Sequence, residues 1–307
     1  MSVGTKLLQA AAGNAGEAVY VDDVFSTTLY TGTDGSVVVP TGLDLADKGG
    51  MIWGKSRSGS QNHRIYDSGR GTQYSLIPNA TSAQSDQGTQ TFGSSSVTLG
   101  VASGIVGSSS YGGPDYVLWA FAKQEKFFDI VTYTGNATSG RTVSHNLGSV
   151  PGMIIVKNTS NTKNWTVYHR GVNGGTNPEQ YRLLLNSSNA QNSSATGDWN
   201  DTAPTSTEFT LGDAARTNEN GSTYVAYLFA HDEQEFGENS DEAIIKCGSF
   251  TGNTASVDLG FEPQWVMFKR TDSATGGDWH IYDTMRGFHA PDEDDALLYA
   301  NSTNSES

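Results

Sequence analysis

Apolar and polar positions follow a strand–loop–strand pattern that occurs three times along this chain. The run Trp265-Val266-Met267-Phe268-Lys269 is followed, after a loop, by Asp278-Trp279-His280-Ile281-Tyr282-Asp283-Thr284-Met285-Arg286. Earlier, Met153-Ile154-Ile155-Val156-Lys157 precedes Asn164-Trp165-Thr166-Val167-Tyr168-His169-Arg170. The earliest pair is Met51-Ile52-Trp53-Gly54-Lys55 with Asn62-His63-Arg64-Ile65-Tyr66-Asp67-Ser68-Gly69-Arg70. An unbroken apolar run closed by lysine predicts a strand buried on both faces. Its partner alternates, with Trp165, Val167 and His169 on one side and Thr166, Tyr168 and Arg170 on the other, the period of a β-strand.

The repeat extends outward from that pair. Upstream lies an aromatic-Thr-Gly turn, Tyr30-Thr31-Gly32, Tyr133-Thr134-Gly135 and Phe250-Thr251-Gly252. Downstream, a Leu-rich strand is closed by Asn79, Asn186 or Asn301. Two copies end in Tyr116-Val117-Leu118-Trp119-Ala120-Phe121-Ala122 and Tyr224-Val225-Ala226-Tyr227-Leu228-Phe229-Ala230. The turn recurs at Tyr30, Tyr133 and Phe250, a domain-sized interval that predicts tandem domains and not solenoid rungs. No long stretch has helical periodicity, so the expected fold is all-β: tandem β-sandwich domains, jelly-roll or lectin-like, with a short N-terminal arm. The boundaries read as 1–23 for the arm, 24–123 and 124–235 for complete sandwiches, and 236–307 for an incomplete third. The third copy reaches Ser307 without a closing strand, so an open sheet edge is expected, completed by more chain or by neighbours.

Composition narrows the function. The net charge of −15 is uneven, because residues 1–123 hold 7 Lys/Arg and 9 Asp/Glu and the remainder holds 11 and 24. Such an acidic chain has no basic face with which to neutralise phosphates, so no nucleic-acid partner is expected. No apolar run approaches the roughly 20 residues of a membrane span. No secretion signal is evident at the start. Cys247 is the single cysteine, which excludes an internal disulfide framework.

Candidate chemistry is sparse. No nucleophile elbow, phosphate-binding loop, dinucleotide fingerprint or metalloprotease helix is present. No catalytic residues, metal ligands or cofactor are assigned, and an enzyme is not expected. The acidic run Asp292-Glu293-Asp294-Asp295 reads as a solvated loop more readily than as a calcium site. Asp67 and Asp283 occupy equivalent positions where the middle copy has His169, an alternation that argues for structural roles. Trp165, Tyr168, Trp279 and Tyr282 have two readings. Exposed rings beside Asn and Asp suit stacking on a sugar, whereas alternating strand positions suit a core. Asn79, Asn164 and Asn186 head Asn-x-Ser/Thr sequons, which arise readily in a chain this rich in those residues. In the arm, Leu7, Leu8, Ala10, Ala11 and Ala12 form an apolar strip too small for a core, and are read as anchoring residues.

The repeat resembles a module of bacteriophage virion proteins from marine and cyanobacterial phages. The matching residues are Phe250-Thr251-Gly252-Asn253, Gly260-Phe261-Glu262-Pro263, Lys269-Arg270-Thr271-Asp272-Ser273 and Trp279-His280-Ile281-Tyr282-Asp283. The opening Leu7-Leu8-Gln9-Ala10-Ala11-Ala12-Gly13 is similar to that of phage appendage proteins carrying lectin-like sandwiches. The resemblance implies a virion structural protein, first of all a tail fibre anchored by its arm to a tail connector, adaptor or nozzle. It implies a homotrimer whose β-domains reach toward the host surface. A fibre or decoration protein on the capsid, and a lectin for host surface polysaccharide, are the alternatives.

Overall fold

Each lysine-closed run forms a strand, Gly50–Ser56, Met153–Asn158 and Trp265–Phe268, in a computed structural model that describes residues 18–107, 113–193, 196–252, 256–288 and 295–307. The proposed anchoring residues Leu7, Leu8, Ala10, Ala11 and Ala12 lie outside the described residues, as do Asp292, Glu293 and Asp294. The chain is nearly all β, with 9% helix and 33% strand in several antiparallel sheets, and no closed barrel forms among the described residues.

The three copies share one register. Ile52 lies opposite Tyr66, Ile154 opposite Tyr168, and Val266 opposite Tyr282. In the first unit the strands run Phe25–Thr31, Asp115–Ala122, Gly50–Ser56, Arg64–Asp67 across the sheet. The second repeats that order as Phe128–Thr134, Thr223–Phe229, Met153–Asn158, Thr166–His169, and adds Leu183–Leu184. The strand that ends each unit is therefore central in its sheet, bonded on both edges. That placement buries Gly50–Ser56 and Met153–Asn158 along their whole length. Among the described residues the third unit contributes Trp265–Phe268, His280–Asp283 and Leu298–Tyr299, in that order.

Period-2 alternation splits each main sheet between two cores. Outer-face residues Ile52, Tyr66, Leu118 and Ala120 pack on Val39, Val97 and Leu99 of a second, three-stranded sheet. In the second unit Ile154, Tyr168, Tyr224 and Leu228 pack on Val143, Phe209 and Leu211 of a two-stranded sheet, with Trp199 beside them. Each of these two units is a β-sandwich. The inner faces meet one another. Trp53, Trp119 and Phe121, Trp165, Tyr227 and Phe229, and Trp279 and Ile281 belong to one continuous apolar core drawn from all three units. The periodicity suggests tandem domains; their inner faces are aromatic and pack against each other, with Phe236 and Cys247 of the segment between the second and third copies joining the same core.

A shared core predicts joint unfolding. Calorimetry should show a single transition. Trp165→Ala, which empties a site of zero exposure, should cost about 3–5 kcal/mol and lower that transition as a whole. Separate transitions, with only one shifted, would show that the units melt independently.

Candidate functional site

The junctions between units are built from the repeat itself. Trp165 Nε1 donates to the carbonyls of Ile77 and Ala80 in the first unit, at 3.0 Å each. Trp279 Nε1 donates to Leu184 O in the second, at 2.9 Å. In the first unit His63 stands at the tryptophan position. Its Nδ1 accepts from Trp53 Nε1 at 2.8 Å, which leaves Nε2 to donate to Tyr299 O of the third unit at 3.0 Å. Burial, and then the charge of Lys55, push the His63 pKa down and keep the ring neutral. Ile77, Leu184 and Tyr299 are equivalent, each two residues before the closing asparagine. The three junctions therefore form a closed cycle of one contact.

Asparagine fixes each aromatic donor in place. Asn79, Asn186 and Asn301 accept from the backbone N–H of His63, Trp165 and Trp279 at 3.0, 2.9 and 2.8 Å. Their side-chain amides donate in turn to Asn62, Asn164 and Asp278. The sequon residues Asn79, Asn164 and Asn186 thus all have structural partners. The strand-closing lysines do parallel work. Lys157 reaches Thr81 O of the first unit at 3.2 Å and Asn158 O at 2.7 Å. Lys269 reaches Ser187 O and Asn189 O of the second unit at 3.3 and 2.7 Å. Burial lowers Lys157 to about 7, Arg70 adding to the shift, and lowers Lys55 and Lys269 to about 8.

A second cycle is left incomplete. Tyr227 Oη donates to Asp67 Oδ2 at 2.7 Å, and Trp119 Nε1 donates to Asp283 Oδ2 at 2.9 Å. Both donors sit at the same place in the closing strand, and each carboxylate also receives an arginine three residues on, Arg70 or Arg286, at 2.6 Å. The second unit has His169 and Val172 at those two positions, so both charges are replaced together. This is why Asp67, His169 and Asp283 alternate: the position serves packing between units. Gly171 N donates to His169 Nδ1 at 3.0 Å. Burial, then Arg170 and His231, bring His169 down to about 4.

Beside His169 lies a cavity of about 1350 Å³. One wall is residues 242–252, the other residues 259–272, with Phe25, Phe121, Phe229 and Trp279 at its base. In the other units the closing strand runs between the strand of the aromatic-Thr-Gly turn and the lysine-closed strand. The cavity is the corresponding space in the third. Cys247 lines it, but burial raises this thiol to about 12, and Sγ donates to Ala230 O at 3.5 Å. A protonated thiol turned to a carbonyl is a poor nucleophile. Among the described residues no cluster of three or more His, Cys, Asp or Glu is arranged to hold a metal, and no helix is long and apolar enough to cross a membrane.

Of the four rings considered for sugar stacking, three are enclosed. Trp165 stacks on Tyr227 at 6.4 Å, Tyr168 meets Trp199 edge-on at 5.9 Å, and Trp279 lies under Lys269 at 5.4 Å. Their buried faces cannot meet a sugar without opening the core. Tyr282 differs: it is half-buried on the outer face of the third unit, stacked with Phe268 at 5.9 Å, where no second sheet is present among the described residues. The cavity, and the contacts that explain why His169 replaces an aspartate, lay beyond sequence reasoning.

Residues 21–307 match the family described as "Domain of unknown function (DUF7483)". No curated protein and no solved structure matches the chain.

The buried ion pairs provide a direct test. Arg286→Met leaves Asp283 buried without its cation and should cost about 3–5 kcal/mol by denaturant titration. The double change Asp283→Asn with Arg286→Met removes both charges but keeps an oxygen to accept from Trp119 Nε1, and should recover more than half of that loss. A double variant as unstable as the single one would show that the two positions are not coupled.

Proposed function

Starting from a chain that belongs to this family of unassigned function, we propose that it is a non-enzymatic structural protein of a bacteriophage particle. It is a tail fibre whose β-sandwich units project toward the host surface, with other virion proteins and copies of itself, as a homotrimer, for neighbours. The observation that supports this reading most is the use made of the buried polar groups. Trp165, Trp279, His63, Lys157 and Lys269 all bind backbone carbonyls of an adjoining unit. The most distinctive side chains of the repeat therefore serve to join units, as an appendage requires. The net charge of −15 keeps such a surface soluble when crowded on a particle. The resemblance of the repeat to phage virion modules supplies the setting.

A capsid-mounted fibre or decoration protein rests on the same features. Antibodies raised against residues 18–307 should decorate particles of the source phage, with gold label at the tail. Label on the capsid would transfer the reading to a decoration protein, and particles free of label and of its peptides would overturn it.

A glycan-binding role has one supporting feature, the outer face of the third unit. There Phe268 and His280 stack at 5.2 Å beside Tyr282. If this face binds host polysaccharide, glycan-array signal should fall at least tenfold in Tyr282→Ala, which lies outside the shared core. An unchanged signal would remove this face from consideration.

A further inference from the structure

We propose that the three units form a closed ring with one weak seam, and that in acid the third unit parts from the first along residues 297–307 while the other two junctions hold. The seam stands out when positions that the repeat makes equivalent are compared. Two residues after each closing lysine stand Arg57, Thr159 and Thr271, and five after each closing asparagine stand Gln84, Gln191 and Glu306. Across every junction these positions share one backbone bond. Gln84 N donates to Thr159 O at 3.0 Å, Gln191 N to Thr271 O at 2.7 Å, and Glu306 N to Arg57 O at 2.8 Å. The direction is the same each time, so the contacts run head to tail around the three units and close.

Within that shared frame the side chains change at one junction. The first-to-second and second-to-third contacts set a neutral Gln against a Thr, and an indole N–H against a carbonyl. Lys157 and Lys269 also cross them to carbonyls of the adjoining unit. At the third-to-first contact all of these features differ. Arg57 and Glu306 form an ion pair, Nη2 to Oε2 at 2.8 Å, with side chains 25% and 17% exposed. A partly exposed pair of this kind adds little to a junction. His63 stands in for the indole, and Lys55 is held by Ser56 O and Gly59 O of its own unit.

His63 makes the seam sensitive to acid. Its ring is fully buried, with Nδ1 accepting from Trp53 and Nε2 donating to Tyr299 O. A second proton has to go on Nδ1, where it meets the indole N–H head on. Burial opposes that proton first. Lys55, and then Arg286 on the turn after His280–Asp283, oppose it further, while the backbone of Tyr299 and Ser302 gives partial relief. Of the nearby carboxylates, Asp283 is paired with Arg286, and Glu306 with Arg57 and Arg286. The closed ring thus binds this proton less readily than free histidine does. Closure is complete above about pH 6.5 and is lost below it by up to about tenfold per pH unit. Burial lowers His145, His169 and His231 too, but their bonds run to Thr205 O, Gly171 N and Cys247 N, away from the three contacts.

Hydrogen exchange of the full chain, expressed as protection relative to unstructured rates, compares the three junctions directly. Between pH 7 and pH 5 protection of the Glu306 amide should fall roughly tenfold or more, and that of Gln84 and Gln191 less than about threefold. His63→Gln keeps an oxygen for Trp53 and an N–H for Tyr299 but takes up no proton, and should abolish the fall at Glu306. Where that variant does not fold, imidazole NMR of the native chain decides, because His63 has to take up its proton together with the loss of protection. An equal fall at all three amides, or none at Glu306, would overturn the proposal. So would a His63→Gln protein that opens in acid as the native one does, or a His63 ring that protonates inside a closed seam.

Discussion

The contact on which the molecule depends is an aromatic N–H donated to a backbone carbonyl of the neighbouring unit. It is made three times, by Trp165, Trp279 and His63, and each time the acceptor is equivalent. A single bond of this kind contributes only about 0.5–1.5 kcal/mol net. Its importance lies in orientation, because a buried donor left unmade would cost more than the bond yields. Each donor also carries a large ring into the common core, so satisfying the N–H sets where that ring sits. Together the three fix how the inner faces meet.

Around that constraint the buried charges are arranged economically. Lys157 and Lys269 carry their ammonium groups on apolar stems to carbonyls of an adjoining unit, whereas Lys55 bonds Ser56 O and Gly59 O of its own. Asp67–Arg70 and Asp283–Arg286 occur where a closing strand also supplies a donor. At the second unit, which has no such donor among the described residues, His169 and Val172 replace both members. Losing an ion pair whole avoids the unpaired buried charge that makes losing half of it so costly.

The same logic explains the asymmetry of the third unit. Its lysine-closed strand matches the others in register and in composition, yet Trp265–Phe268 is only half-buried. Strand burial here is a property of neighbours. Gly50–Ser56 is covered because Asp115–Ala122 lies along one edge and a second sheet covers its outer face. Without them an equally apolar strand shows its edge to a cavity and its outer face to solvent.

Much of this was legible in the order of residues. Period-2 alternation with a lysine-closed apolar run determined the strands, their pairing and the β-sandwich class, since those depend on local sterics and on which side chains share a face. The expected burial of Trp165 over its use as a sugar platform followed from the same alternation. What the sequence could not contain is which inner face meets which, because that depends on contacts between residues more than sixty positions apart. His63 reads as the odd member of the repeat by size and polarity. Only the fold shows that its Nε2–H does the work of an indole N–H, once Trp53 has claimed the other nitrogen. The spacing of Asp67, His169 and Asp283 likewise became intelligible only when the closing strand of one unit was seen to touch the next. Chemical equivalence of that kind belongs to geometry, and the alphabet of side chains conceals it.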